Sequence, residues 1–123
     1  MAKLNLLITD QGMFVAVPDN VKELIKDVSP PSKRMQRLLF SFDSCWMLLI
    51  NTYFPTDPKN NNFDDTELSL LLSQVRSTIT DNDFDQLIMT GDINTDFRRS
   101  THFVKNVEDF LAEFSLCSLC LPN

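Results

Sequence analysis

Glycine is nearly absent from this chain: Gly12 and Gly91 are the only two among 123 residues. With glycine so scarce, one that directly precedes an acidic residue, as Gly91 precedes Asp92, is expected to hold a special backbone geometry. Histidine is scarcer still, with His102 alone. The three cysteines, Cys45, Cys117 and Cys120, are an odd number in no regular framework. That excludes a disulfide scaffold and points to reduced thiols in an intracellular setting, nuclear or cytoplasmic. Cys117 and Cys120 have C-x-x-C spacing, but there is no second pair, and a zinc site needs four ligands or three and a water. A buried apolar helix end explains Leu116 to Leu121 better. Long hydrophobic runs are missing too. None approaches a membrane span, and "LNLLI" after Lys3 is too short for a signal peptide and is broken by Thr9, Asp10 and Gln11. Neither a membrane nor a secretory route is expected.

Positive charge is in deficit. Eleven Lys and Arg against seventeen Asp and Glu leave a net charge of −6, so the chain as a whole has no electrostatic attraction for nucleic acid. The cations it has are clustered, as Lys33, Arg34 and Arg37 and as Arg98 and Arg99. Both clusters read first as solvated surface. Repeats and low-complexity segments are absent. What is present is apolar: 43% of residues are hydrophobic and ten are Phe. That is enough for a core and excludes a disordered tail, and the length fits one domain.

The apolar runs alternate with turn signals. Leu4–Ile8 and Met13–Val17, separated by "TDQG", are predicted as two strands. "VKELIKDV" has helical spacing at Val21, Leu24, Ile25 and Val28 but is closed by Pro30-Pro31, so one helical turn and an edge strand both remain open. "MQRLLFSF" (Met35–Phe42), Asp43-Ser44 and "CWMLLINTY" (Cys45–Tyr53) predict an antiparallel hairpin. Its second strand is apolar on both faces, Trp46, Leu48 and Ile50 one way and Met47 and Leu49 the other, as in a central strand covered on both sides. Pro55–Asn62 is a loop by composition. Asp64 with Glu67 three residues later forms a capping-box pattern. Leu68, Leu71, Leu72, Val75 and Ile79 then make a helical stripe, stopped by Asp81-Asn82-Asp83. Leu87–Thr90 is a further strand. Ser100 is positioned to cap a second helix, whose apolar face is Val104, Val107, Phe110, Leu111 and Phe114. The order predicts an α/β architecture with helices packed on a sheet.

Two strand ends carry polar groups with chemistry in them. In "LIMTGDINTDF" the apolar strand runs into Gly91-Asp92-Ile93-Asn94. If extended backbone continues, Asp92 and Asn94 project on the same side. A carboxylate can then hold Mg²⁺ or orient a water, beside a carboxamide that donates to a phosphoryl oxygen. The plain alternative is that G-D-x-N turns the chain. The other end is "INTYFPTD", where Asn51 and Tyr53 share a face and Pro55 ends the strand. Tyr53 is either a strand-end aromatic with its hydroxyl in water or a donor to a phosphate at the mouth of the sheet. One helix separates the two ends, the right length of chain to bring them to the same edge. His102 falls inside the second helix, has no adjacent Asp, and reads as a surface residue.

"NTYFP", a capped helix, an apolar strand and "GDIN", in that order, resemble the middle of the endonuclease/exonuclease/phosphatase superfamily. That group includes apurinic endonucleases, pancreatic-type deoxyribonucleases and inositol polyphosphate phosphatases. The stretch from Ile50 to Phe97 is most similar to the endonuclease domains of LINE-type (non-LTR) retrotransposons. "GMFVAVP" resembles the family's earlier Gly-started strand, so the likeness runs from about Gly12 to Phe114. The resemblance implies a partial four-layer α/β sandwich of the DNase I-like type, with a mixed sheet and helices on one face. It implies metal-dependent phosphodiester hydrolysis with Mg²⁺ (or Mn²⁺). On the matching positions, Asp92 is the metal-binding carboxylate that orients or deprotonates the attacking water. Asn94 contacts the scissile phosphate, and the Tyr53 hydroxyl lies near it.

The sequence also departs from the family. The Asn and metal-binding Glu of the family's first strands have no counterpart, nor do the Asp and the terminal Asp-His pair of its last strands. Residues 1–123 are therefore expected to form a single partial domain that lacks N- and C-terminal strands and holds Mg²⁺ weakly. It is expected to be inactive alone and prone to self-association through exposed sheet edges. DNA is the expected partner of the full domain. Two alternatives stand beside this reading: a phosphatase or phosphodiesterase of the same fold acting on a small phosphorylated substrate, and a non-catalytic remnant or interaction module.

Overall fold

The computed structural model describes residues 4–8, 14–18, 20, 23–28, 34–57 and 65–117. The strands are β1 (Leu4–Ile8), β2 (Phe14–Pro18), β3 (Ile25–Val28), β4 (Met35–Phe42), β5 (Cys45–Tyr53) and β6 (Gln86–Asp92). The helices are α1 (Thr66–Asp81), between β5 and β6, and α2 (His102–Glu113). β1 and β2 pair antiparallel as a two-stranded ribbon, while β3-β4-β5-β6 form a mixed four-stranded sheet. The α/β architecture expected from the sequence is therefore present. "VKELIKDV" resolves in favour of an edge strand, because β3 pairs antiparallel with β4, with a register irregularity between Ile25 and Asp27.

The β4–β5 hairpin forms where the polar break predicts it. Phe42 pairs with Cys45, and Asp43 and Ser44 between them take φ of 52° and 64°. Two consecutive positive φ values give a two-residue turn whose twist matches that of the strands it joins. β5 is then sandwiched, antiparallel to β4 and parallel to β6. A parallel neighbour needs a crossover, and α1 supplies it.

Alternation along β5 decides which side is dry. Leu48, Ile50 and Thr52 are at most 1% exposed, and Leu48 and Ile50 form one cluster with Leu68, Leu71, Val75 and Ile79 of α1 and Phe103, Val107 and Phe110 of α2. Each such aliphatic or aromatic side chain contributes roughly 1.5–3 kcal/mol by leaving water. Met47 and Leu49, on the opposite face, are only half-buried. The sequence-based expectation of a strand covered equally on both sides is thus corrected: the helices cover the Leu48–Ile50 face. Trp46 lies at the start of that face, beside the Asp81–Asp85 turn rather than under a helix, and is 40% exposed.

Both helix starts differ by one residue from the sequence pattern. Asp64 lies outside the described residues. The N-cap of α1 is Asp65, without a side-chain cap, and Glu67 accepts instead from Arg34 at 3.1 Å. α2 is capped by Thr101 rather than Ser100, its hydroxyl accepting from the Val104 N–H at 3.2 Å. Ser and Thr cap by the same chemistry, so sequence alone could not rank the neighbours. The expected buried helical end at Leu116 to Leu121 is corrected as far as Cys117: α2 stops at Glu113, Leu116 packs partly against the core, and Cys117 is exposed, while residues 118–121 lie outside the described residues. No helix among the described residues is long and apolar enough to cross a membrane.

In the first basic cluster, Lys33 lies outside the described residues, and Arg34 and Arg37 turn out to be structural. Arg34 bonds Glu67 and the Tyr53 carbonyl, and Arg37 donates to the Asn82 side chain at 3.1 Å, at the C-terminus of α1. A cation there meets the negative end of the helix dipole. Reading Arg34 and Arg37 as solvated surface missed this, because only the hairpin register brings them to α1.

Candidate active site

Parallel strands joined by a crossover helix end at the same edge, which is where open α/β sheets place their ligands. Here β5 and β6 stay in register from Met47 opposite Gln86 to Tyr53 opposite Asp92. Tyr53 and Asp92, chosen from separate motifs, are therefore neighbours across the ladder. The ladder continues one step further, the Phe54 N–H donating to the Asp92 carbonyl at 2.8 Å.

Gly91 is what lets the strands converge. Its φ is +114°, and a Cβ at this position would lie 1.9 Å from the Thr52 carbonyl oxygen and 2.9 Å from Asn51 Oδ1. No side chain fits there, so the special geometry expected of this glycine is a steric requirement of the β5–β6 contact. Thr52 Oγ1 also donates to the Thr90 carbonyl at 3.2 Å, and Thr90 Oγ1 to Asn51 Oδ1 at 3.3 Å.

Asp92 and Asn94 come together, but not by strand alternation. β6 stops at Asp92, and Asn94 takes φ of 50°. Asparagine tolerates this left-handed conformation better than most residues. The Asp92 Oδ1 accepts from the Asn94 backbone N–H at 2.9 Å, which closes an Asx-turn. The Asn94 carboxamide then donates through Nδ2 to the Phe54 carbonyl at 2.8 Å. Between them Ile93 packs against the core. Each residue of G-D-I-N thus has a local function: close approach, turn closure, anchorage and a link to the partner strand. The extended geometry inferred from side-chain alternation is corrected, and the juxtaposition arises from the turn.

A second tie lies further along both loops. Asp57 is 5% exposed and accepts from the Thr101 hydroxyl at 3.1 Å. The residue that caps α2 therefore also fastens the "NTYFPTD" loop to the segment that follows "GDIN". Phe54, fully buried, and Pro55, also buried, hold the intervening backbone.

Arg34 joins the site from a direction the motif reading missed. Its guanidinium lies 5.4 Å from the Tyr53 ring centroid and donates to the Tyr53 carbonyl at 3.2 Å, while its own carbonyl accepts from Tyr53 N–H at 2.8 Å. Counting the hairpin register outward from Asp43-Ser44 puts Arg34 opposite Tyr53, so the signal was available. The arrangement places a cation beside a phenol that is 48% exposed.

Tyr53 and Asp92 are exposed and Asn94 is half-buried. Among the described residues, no group of three or more His, Cys, Asp or Glu gathers as a metal-holding cluster. Asp92 can still serve a hard cation, since Oδ1 is used in the turn and the carboxylate has a second oxygen. His102 is the first residue of α2 and is exposed. Downstream, Asp96 is held below the usual carboxylate range, first by hydrogen bonding to the Arg98 side chain and then by the Arg98 backbone N–H. No protein-family model and no curated protein matches the chain.

Proposed function

We propose that this chain carries the phosphate-facing part of a Mg²⁺-dependent phosphodiester-hydrolysing centre of the endonuclease/exonuclease/phosphatase, DNase I-like type, acting in DNA nicking of the LINE-retrotransposon kind. The observation that supports the reading best is the pairing of Tyr53 with Asp92 at the shared end of two parallel strands. Asn94 is tied to the same edge through the Phe54 carbonyl. "NTYFP" and "GDIN" are far apart in sequence, and a single edge joins them.

In this reading the Asp92 carboxylate holds the metal and orients or deprotonates the attacking water. The Asn94 carboxamide has a second N–H for a phosphoryl oxygen beyond the one given to Phe54. The Tyr53 hydroxyl donates to the same phosphate, with the Arg34 cation beside it. Mg²⁺, when bound, neutralises charge on the phosphate and on the departing oxygen. One carboxylate holds Mg²⁺ poorly, so this polypeptide by itself is expected to hydrolyse DNA no faster than a blank.

Supercoiled plasmid incubated with the purified chain and Mg²⁺ tests that expectation, and nicking abolished by Asp92→Ala would overturn it. The reading itself is tested by NMR titration with Mg²⁺ and a dinucleotide phosphodiester. Weak, saturable shifts are expected at Tyr53, Asp92 and Asn94, and these shifts should be lost in Asp92→Ala. Shifts spread over all acidic residues, and unchanged by Asp92→Ala, would sink it.

A second reading, a non-catalytic interaction module, is favoured by one observation: Asp92 and Asn94 both have turn-forming bonds that explain their presence without any substrate. The DNA flanking the coding segment discriminates. A reverse-transcriptase frame with an upstream Glu-bearing strand and a downstream Ser-Asp-His supports the nuclease, and stop codons there support the module.

A further inference from the structure

The second basic cluster remains unused by the fold in the way the first one is used. Phe97, Arg98, Arg99 and Ser100 come after the "GDIN" turn and Thr95-Asp96, and with His102, Val104, Lys105 and Glu108 of α2 they line a cavity of about 610 Å³. Its chemistry is unlike the rest of this acidic chain. Three permanent cations, Arg98, Arg99 and Lys105, face it with one carboxylate, Glu108, and the first turn of α2 adds no acid. Phe97 is 47% exposed, although Phe103 and Phe110 nearby in sequence are about 1% exposed.

An aromatic ring left in water between cations is the combination that binds a nucleotide: the ring stacks on a base and the cations hold the phosphates. Asp96 sharpens the argument. Its carboxylate takes two bonds from Arg98, at 2.9 and 3.2 Å, and lies 3.7 Å from the Arg99 Nε. Arg98 thus already grips one oxyanion through two planar N–H groups, the geometry it would use on a phosphate, and Arg99 stands within ion-pair range of the same carboxylate. Lys105 is paired in turn with Asp109 at 3.7 Å.

We propose that this cavity seats one nucleotide of a single DNA strand, its base on Phe97 and its phosphates on Arg98 and Arg99, with Asp96 as the internal anion that the phosphate displaces. The choice of DNA rests on the nuclease reading above; the binding chemistry does not. Phe97 follows Asn94 closely in the chain, so in the nuclease reading the subsite would take a nucleotide of the strand to be cut. Acidity elsewhere in the chain makes the interaction weak and strongly dependent on salt.

Fluorescence anisotropy tests this with the full chain and an end-labelled single-stranded deoxyoligonucleotide of about ten nucleotides, in EDTA at low salt. Wild-type binding is expected to weaken with salt at a log–log slope of about −0.7 per phosphate engaged. Phe97→Ala should weaken binding about tenfold at an unchanged slope, as expected for a lost stacking contact. Replacing Arg98 and Arg99 together by Ala should weaken it at least as much and flatten the slope. Asp96→Asn should tighten it about two- to threefold, because the internal competitor is gone. None of these side chains belongs to the buried core, and far-UV circular dichroism checks that the fold persists. Undetectable binding by the wild type, equal binding by the arginine double variant, or weaker binding by Asp96→Asn overturns the proposal. So does an abasic strand that binds as tightly as the normal one. Binding without any Asp92-dependent metal response would remove the nuclease reading and leave this subsite standing; an Asp92-dependent metal response without binding would do the reverse.

Discussion

The middle and the exit of strand β5 have opposite fates. At its middle, Leu48 and Ile50 are fully buried beneath α1 and α2. At its exit, Tyr53 stands 48% exposed beside Asp92. The middle is held by dispersion and water exclusion, which tolerate many apolar side chains of the right size. The exit is held by a few directional contacts: Gly91 against Thr52, Asn94 on Phe54, and Asp57 on Thr101. A hydrophobic core can therefore drift in sequence while a rim of this kind cannot, since each of its contacts needs one particular residue type.

Substitutions at the two regions separate these mechanisms. The largest effect is expected at the rim, from Gly91→Ala. Backbone atoms block the new Cβ and φ is left-handed, so a loss of about 5 kcal/mol or more, or displacement of β6, is expected, read by chemical denaturation and by Tyr53 and Asp92 amide shifts. Phe110→Ala in the core is expected to cost about 3–5 kcal/mol. It should do so without altering the rim, and altered Asp92–Asn94 shifts would show the two regions to be coupled. Thr101→Val removes a helix cap and the partner of a buried carboxylate, a loss of roughly 1–3 kcal/mol. Tyr53→Phe should leave stability within about 0.5 kcal/mol, since the exposed hydroxyl has no structural role, and a large loss would argue that Tyr53 is a structural residue.

The smallest expected effect is on pH. Glu113, hydrogen-bonded to Arg76, has its carboxyl lowered below the usual range, and Arg76 also lies 5.7 Å from the Phe110 ring. A depressed folded value means that the pairing stabilises fully above the ordinary carboxylate range, and that this contribution is lost as pH falls through the folded value. Thermal melts of wild type and Glu113→Gln should converge at acid pH and in high salt, the wild type being slightly more stable near neutrality. Association is a separate check on the sheet. β3 and β6 are its edge strands, and concentration-dependent sedimentation is expected. A cooperatively melting monomer at all concentrations would overturn that expectation.

Much of the fold was legible because periodicity is a local property. The hairpin followed from Asp43-Ser44 between two apolar runs, and the stripe Leu68, Leu71, Leu72, Val75, Ile79 is the buried face of α1 as read. Phe103 was missed because it precedes the strongest part of the α2 pattern. At the candidate site, Tyr53, Asp92 and Asn94 were legible as residue types at strand ends, but their geometry was not. Alternation assumes extended backbone, and Asn94 leaves it. Arg34 and Asp57 were passed over because their partners, Tyr53 and Thr101, lie distant in sequence.

By itself, the sequence determined which segments pair or coil, which face of α1 is dry, and that one glycine sits before one aspartate. Those follow from side-chain chemistry and from periods of 2 and 3.6 residues. Only the tertiary structure decided that helices cover a single face of β5, and that Gly91 is forced by the Thr52 carbonyl. It alone decided that a turn rather than a pleat brings Asp92 and Asn94 together. Contacts between segments far apart in the chain set those outcomes, and no local pattern encodes the distance between two backbones.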